Sequence, residues 1–136
     1  MSMKQLLFSF EGRIGRMPFW LATLGMVVAM IVINVAVFGA AFLTADPSAV
    51  QAAPGAMGGA VTIVALLVTI LAVWIGLAVQ AKRWHDLDKS AWWILINLIP
   101  AVGGLITLVM CGFLAGTPGP NRFGPATATA AATATT

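Results

Sequence analysis

Residues 17–45 read MPFWLATLGMVVAMIVINVAVFGAAFLTA, a run of 29 residues without a charged side chain. Two more uncharged runs follow, with 35 residues at 47–81 and 32 residues at 90–121. A helix needs roughly 20 apolar residues to cross about 30 Å of hydrocarbon, so each run is long enough for one crossing and too short for two. The pattern predicts an integral membrane protein.

The composition supports the same prediction. Of 136 residues, 60% are hydrophobic and 8% are charged, whereas a soluble domain has about 45–50% apolar and about 25% charged residues. This excludes an ordinary soluble enzyme, a disordered charged tail and a disulfide scaffold, since Cys111 is the only cysteine. The net charge of +3 suits anionic lipid headgroups, because the basic residues flank apolar runs. We expect no nucleic-acid partner, since no basic face is interleaved with aromatic residues.

We therefore predict an all-α protein with one polytopic membrane domain over residues 1–125. Pro18 suits the first turn of the first helix, and Asp46-Pro47 ends that helix because the residue before proline is disfavoured in the α conformation. The three hydrophobic helical segments are predicted at about residues 18–43, 60–81 and 91–115.

The third segment is broken near Pro100–Gly104, where a proline and two glycines lie close to its middle. A proline inside a helix removes one hydrogen bond and kinks the axis. We favour a kinked single crossing. The alternative is a re-entrant segment, which would require the broken backbone to be buried against protein or water.

Two stretches outside the segments carry no predicted chemistry. Residues 46–59 are rich in Ala, Gly and Pro and are typical of a loop. Residues 126–136 contain only Ala and Thr and predict a disordered tail. The first uncharged run is about twice as long as the apolar core of a signal peptide, so we expect it to be retained as a helix.

Lysine and arginine predict the orientation, because cytoplasmic flanks of membrane helices are enriched in both. Basic residues lie before the first segment and in the connection 82–90, whereas 46–59 contains none. The N-terminus and the 82–90 connection are therefore predicted to be cytoplasmic. The side of the C-terminus stays open, because Arg122 is the only basic residue that follows the third segment.

Arg13 and Arg16 are the first candidates for a functional role. In a helix they would share a face at i, i+3, and each guanidinium group could hold a phosphate through two bonds. We favour a plainer interpretation in which they anchor the orientation of the chain at the membrane interface.

The second candidate is Lys82-Arg83-Trp84-His85-Asp86, which contains the only histidine. A Ser/His/Asp relay is not expected, because adjacent helical side chains diverge by roughly 100°. A metal would need three or four ligands, so we predict neither a metal site nor a cofactor. Instead, an Asp86–arginine ion pair is expected to tie the 82–90 connection to the N-terminal segment, with a contribution of about 0–1 kcal/mol if exposed and more if shielded from solvent.

Aromatic and polar residues near or within the segments complete the picture. Four tryptophans are expected at the cytoplasmic interface, where indole lies between hydrocarbon and headgroups; they are Trp20, Trp84, Trp92 and Trp93. The polar residues within the segments are Asn34, Gln80 and Asn97. Gln80 and Asn97 fall at a similar depth and are placed to bond across helices. No ionisable group lies inside a segment, which argues against an active transporter.

The chain resembles a known family in four separate blocks that occur in the right order. The blocks are Gly12-Arg13-x-x-Arg16 with Phe19-Trp20; Arg83-x-His85-Asp86 with Ser90-x-Trp92-Trp93; Pro100 with Gly103; and Gly116 with Asn121-Arg122-Phe123-Gly124. They are similar to the small bacterial inner-membrane family called domain of unknown function 805, over about residues 8–125. The resemblance implies a multi-span helical protein of the inner membrane.

The chain departs from the family pattern at a few positions. Lys82, Trp84 and Ala91 stand where the family usually has arginine, leucine and glycine, and no acidic residue precedes Pro125. If the C-terminal block belongs with the other polar blocks, it would lie at the cytoplasmic face. The resemblance therefore favours the re-entrant form of the third segment.

The leading hypothesis is a non-enzymatic membrane component that binds protein partners or anionic lipid through a cytoplasmic motif surface. The alternative is an oligomeric channel or transporter for a small solute, lined by the polar residues within the segments. A lipid-modifying enzyme would rest on His85 and Asp86 alone. The candidate interaction residues are Gly12, Arg13, Arg16, Trp20, Arg83, His85, Asp86, Ser90, Trp92, Trp93, Asn121, Phe123 and Gly124.

Overall fold

The structure, a computed structural model, describes residues 2–44, 46–48 and 59–127. Within these ranges the regular elements are all helical, and two helices are long and apolar enough to cross a membrane. The prediction of an all-α membrane protein is confirmed. In chain order the elements are α1 (Met3–Phe8), α2 (Arg16–Thr44), α3 (Gly59–Asp86), a 3₁₀ helix (Ala91–Leu98), α4 (Val102–Thr107) and a π-helical segment (Leu108–Phe113).

Helices α2 and α3 contain the first two predicted segments. At about 1.5 Å per residue, their 29 and 28 residues give lengths of about 43 and 42 Å, more than the hydrocarbon thickness of about 30 Å. Helix α3 continues beyond the predicted membrane segment, from residue 81 to Asp86. Its last turn carries basic residues, which are stabilising next to the exposed carbonyl groups of a helix C-terminus.

The third segment is a hairpin rather than one kinked helix. The 3₁₀ helix leads to a turn in which Ala101 adopts a positive φ of 62°, and α4 with the π-helical segment leads back. Gly103 makes the turn tight, since a Cβ there would overlap the carbonyl group of Ile96. The returning arm has 12 residues, or about 18 Å, which is too short for a crossing. Of the two alternatives left open by the sequence, the structure has the segment that returns.

The described residues form two compact units. One contains the described parts of Met1–Leu24 and Trp74–Thr136, and the other contains the described parts of Gly25–Val73. The first unit holds the buried apolar cluster of Ile14, Phe19, Val79, Trp84 and Cys111.

The second unit contains the C-terminal part of α2 and the N-terminal part of α3. Its outer surface is apolar, with Val28 and Leu67 each about 60% exposed. Asn34 donates a hydrogen bond to the carbonyl group of Met30 in its own helix (2.7 Å). An apolar exterior of this kind is suited to acyl chains rather than to water.

Some predictions lie outside the described residues. Most of the 46–59 loop and residues 128–136 of the Ala/Thr tail belong to this group. Two other predictions are not tested by the structure and stay predictions. They are the single-domain boundary at residue 125 and the orientation of the N-terminus.

Candidate functional site

The end of α3 supplies two residues of a buried ionic cluster. Arg83 and Asp86 are separated by one helical turn, which places both side chains on the same face. Arg83 NH1 lies 2.6 Å from Asp86 Oδ2, and both side chains are at most 1% exposed. The i, i+3 spacing of these two motif residues therefore becomes a contact inside the protein.

Arg13 completes this cluster from the segment between α1 and α2. Its Nε donates to Asp86 Oδ1 at 3.1 Å, and its NH2 lies 2.9 Å from the same oxygen. The Arg13 side chain is 1% exposed. We call Arg13, Arg83 and Asp86 the Asp86 cluster. The expected ion pair between Asp86 and an N-terminal arginine is present, and it is shielded from solvent.

Backbone carbonyl groups satisfy the remaining donors of both arginines. Arg13 donates to the carbonyl oxygens of Thr117 and Gly119, each at 2.8 Å. Arg83 donates to the carbonyl oxygen of Cys111 at 2.6 Å and also to that of Leu114. Each nitrogen of the two guanidinium groups thus donates at least one bond, which offsets the cost of burying two cations beside one carboxylate.

These bonds connect three separate parts of the chain. The N-terminal segment, the end of α3 and the residues that follow the hairpin all meet at Asp86. Thr117 reinforces the junction, because its backbone N–H (2.7 Å) and its hydroxyl group (3.0 Å) both donate to the carbonyl oxygen of Asp86. The hydroxyl group of Thr127 donates to Asp86 Oδ1 at 3.3 Å. The residues that follow the hairpin consequently lie next to Asp86.

Gly116 permits this close approach. A Cβ at position 116 would overlap the carboxylate group of Asp86. Any larger residue would have to displace a buried charge whose position is fixed by two arginines. The glycine is therefore required by packing against Asp86.

His85 holds the C-terminal block against the N-terminal one. Its Nδ1 lies 3.1 Å from the carbonyl oxygen of Gly12, so Nδ1 must carry the proton because a carbonyl group can only accept. The ring of Phe123 stacks on the imidazole with centroids 4.0 Å apart and an interplanar angle of 6°. Asn121 Nδ2 donates to the carbonyl oxygen of His85 at 2.9 Å. His85 thus contacts both the N-terminal and the C-terminal motif block.

Lys82 is also buried and fastens α1. Its Nζ donates to the carbonyl oxygens of Gln5 (3.0 Å) and Ser9, the last of which caps the C-terminus of α1. A cation at the end of a helix satisfies carbonyl groups that have no partner within the helix. Lys82 therefore has a defined structural contact with the end of α1.

The tryptophans divide into buried and exposed residues. Trp84 is fully buried and stacks on Trp93 with centroids 5.8 Å apart, so its predicted role as an interfacial anchor is wrong. Trp20 is partly buried and donates from Nε1 to the carbonyl oxygen of Gly112 at 3.0 Å. Trp92 and Trp93 remain 77% and 45% exposed. Fewer tryptophans are therefore exposed than the four that the sequence placed at the membrane interface.

The polar residues of the first unit bond to one another as expected. Asn97 Nδ2 donates to Gln80 Oε1 at 2.8 Å, and Thr107 Oγ1 donates to Asn97 Oδ1 at 2.7 Å. These two hydrogen bonds link α3 to both arms of the hairpin. Thr107, which the sequence analysis did not identify, is 5% exposed and completes it.

The geometry assigns internal contacts to residues that the sequence placed on a surface. Arg13, Arg83 and Asp86 are buried, so the contacts of their side chains lie in the protein interior. Arg16 stays partly exposed, with NH1 3.2 Å from the carbonyl oxygen of Phe113. The hydroxyl group of Ser90 accepts from the backbone N–H of Trp92 at 3.3 Å, and the structure does not bring it to His85. Within the described ranges, no three or more His, Cys, Asp or Glu residues are grouped to hold a metal ion.

Comparison with known proteins shows a similarity that covers all of the motif blocks. Residues 7–125 match the family described as "Protein of unknown function (DUF805)". Inner membrane protein YhaH of Escherichia coli strain K12 is 39% identical over 116 residues, which cover 85% of this chain and 84% of the relative. Inner membrane protein YhaI of the same strain is 33% identical over 116 residues, or 85% and 82% of the two chains. No solved structure matches the chain.

Proposed function

The chain belongs to the DUF805 family, and with that membership as the premise we propose that it is a non-enzymatic component of the bacterial inner membrane that binds anionic phospholipid headgroups at one membrane face. The observation that carries this proposal is the division of the charges between interior and surface. Arg13 and Arg83 are used inside the protein, so recognition falls to the basic residues that remain outside.

The surface of the first unit has a net positive charge. Its partly or fully exposed cations are Lys4, Arg16, Lys89 and Arg122, and its exposed carboxylates are Glu11 and Asp88. Arg122 Nε lies 3.4 Å from Asp88 Oδ1, and both side chains are at least 50% exposed. Exposed lysine and arginine near a membrane contribute about 1 kcal/mol each to binding of an anionic surface. Arg16, Lys89 and Arg122 supply the attraction, and burial keeps Arg13 and Arg83 out of it.

The proposed topology follows from the meeting of the motif blocks at Asp86. Two helices cross the membrane, the hairpin enters and leaves at one face, and both ends of the first unit lie on the cytoplasmic side. The basic residues at the N-terminus and at 82–90 support this orientation under the positive-inside rule. The broken backbone of the hairpin is tolerated at membrane depth because it packs against α2 and α3 within the first unit.

The proposal is tested by analysing the lipids that co-purify with the full chain from bacterial membranes. A variant carrying Arg16→Gln, Lys89→Gln and Arg122→Gln should retain its helical content. It should lose most of the co-purified phosphatidylglycerol, because three exposed cations are removed. Mass spectrometry gives the ratio of phosphatidylglycerol to phosphatidylethanolamine in each preparation.

A matched control removes other polar groups from the first unit. The variant Gln5→Ala, Gln80→Ala and Asn97→Ala alters three polar side chains but no charge, and it should keep the wild-type lipid ratio. An unchanged ratio in the charge variant would contradict lipid binding by these cations. It would favour a membrane-protein partner or a homo-oligomer instead.

A further inference from the structure

A groove lies beside the start of the hairpin, outside the Asp86 cluster. It has a volume of about 450 Å³ and is lined by Ser90, Trp92, Trp93 and Ile96. This volume falls within the range of about 300–1,000 Å³ that is usual for small-molecule sites. The groove is open to its surroundings, and three of its four lining side chains are aromatic or aliphatic.

The wall of the groove is held in place by the protein interior. The ring of Trp93 stacks on fully buried Trp84, with centroids 5.8 Å apart. The backbone N–H of Trp93 donates to the carbonyl oxygen of Ser90 at 3.1 Å. Since the side chain that forms the wall rests on a buried ring, the groove exists before any ligand enters it, which lowers the ordering cost of binding.

A cation, Lys89, lies over one of the rings that line this groove, although Lys89 is not itself a lining residue. Lys89 Nζ is 4.6 Å from the centroid of the Trp93 ring. The neighbouring carboxylate of Asp88 is paired with Arg122, and Lys89 forms no ion pair within the part of the chain that the structure describes. The ammonium group is therefore available to an anion bound along the same wall.

The hydroxyl group of Ser90 adds a second polar contact. It accepts from the backbone N–H of Trp92 and donates to no group in the described ranges, so its own hydrogen is free to reach an oxygen atom. A phosphate oxygen accepts bonds from both a hydroxyl group and an ammonium group. Lys89 and Ser90 are adjacent in sequence, which places both donors at the start of the hairpin.

We propose that this groove is a discrete binding site for one anionic phospholipid, with the phosphate group at Lys89 and Ser90 and the glycerol and upper acyl chain against Trp92 and Ile96. The inference deepens the proposed function, on which it rests, by assigning one site to one lipid. Charge complementarity selects an anionic over a zwitterionic headgroup. The apolar wall selects a lipid over a soluble phosphate, because a free phosphate would leave the indole and Ile96 surfaces unused.

The test is native mass spectrometry of the full chain in detergent, titrated separately with dioleoylphosphatidylglycerol and dioleoylphosphatidylcholine. The wild type should bind one phosphatidylglycerol about fivefold more tightly than phosphatidylcholine. This is the equivalent of about 1 kcal/mol for one lysine near an anionic group. Lys89→Gln should bring the two affinities within about twofold of each other.

Lys4→Gln is the matched control, because it removes the same charge from an exposed position in α1, whereas Lys89 lies over the Trp93 ring that lines the groove. It should leave the fivefold preference intact. Trp92→Ala removes a side chain that is 77% exposed, so the fold is retained. It should weaken both lipids by a similar factor of at least about threefold, because a large aromatic contact is lost.

The outcomes separate the site from the general function. Equal losses with Lys89→Gln and Lys4→Gln would overturn the discrete site and leave attraction by the whole cationic surface in place. Unchanged affinities with Trp92→Ala would overturn seating of the lipid in the groove. A wild type that does not distinguish the two lipids would overturn both the site and the proposed function.

Discussion

Arg13 and Asp86 lie 73 residues apart in the chain, yet both Nε and NH2 of Arg13 are within 3.1 Å of Asp86 Oδ1. The two side chains are each 1% exposed. This pair fixes the segment before α2 to the end of α3, and Arg83 ties the same carboxylate to the end of the hairpin. The buried carboxylate group of Asp86 thus connects the N-terminal segment, the end of α3 and the end of the hairpin.

Asp86→Asn should cost about 3–5 kcal/mol of unfolding free energy, because two buried guanidinium groups lose their counter-charge. Titration of the detergent-solubilised protein with sodium dodecyl sulfate measures this change. Asp88→Asn is the control, since its ion pair with Arg122 is exposed and should contribute about 0–1 kcal/mol. Equal costs for the two variants would show that Asp86 has no special structural role.

Arg83→Lys should loosen the hairpin although the charge is kept. The guanidinium group of Arg83 bonds to Asp86 and to the carbonyl oxygens of Cys111 and Leu114, and an ammonium group cannot reproduce this fork. Cys111 is fully buried, so its reaction with a maleimide reports the loosening. We expect labelling to accelerate about tenfold, the equivalent of about 1.4 kcal/mol. Arg122→Lys, at an exposed position, should label at the wild-type rate, and equally slow labelling of both variants would contradict the account.

Gly116→Ala should lower the thermal stability of the protein, because the new methyl group would overlap the carboxylate of Asp86. A loss of about 1–3 kcal/mol is typical when an extra methyl group is forced into a packed interior. Gly104→Ala is a matched control in the same hairpin, since a Cβ there meets nothing within 4 Å. Thermal unfolding in detergent compares the two, and equal transition temperatures would refute the close packing of Gly116 on Asp86.

Gln80 and Asn97 should be energetically coupled, because their side chains share a bond of 2.8 Å. A double-mutant cycle with alanine at each position should give a coupling energy of about 0.6 kcal/mol, the average for such bonds between membrane helices. Unfolding free energies of the four proteins supply the measurement. A coupling energy of zero would mean that the bond does not form in the membrane.

The helical segments and the Asp86 ion pair were predictable from the sequence. Uncharged runs give α2 and α3 directly, because hydrocarbon thickness sets their minimum length. The pairing of Asp86 with an arginine follows from the excess of cations around it. The spacing of Arg83 and Asp86 already contains the signal that they share a helical face.

The burial of the motif residues was not predictable in the same way. The acceptors of Arg13 and Arg83 are mostly backbone carbonyl groups, such as those of Cys111 and Thr117, and every residue carries such a group. Charge alone therefore placed these arginines on a surface. Trp84 was assigned to the interface for a similar reason, because residue type does not reveal which tryptophan lies inside.

The N-terminal, central and C-terminal motif blocks meet at Asp86, and the proposed topology therefore returns the third segment to the membrane face from which it enters. A topology reporter at the C-terminus tests this claim most directly. Green fluorescent protein fused after residue 136 should fluoresce, and alkaline phosphatase at the same position should be inactive, because the proposed topology has both termini in the cytoplasm. An active phosphatase with a dark fluorescent fusion would place the C-terminus outside and contradict the account.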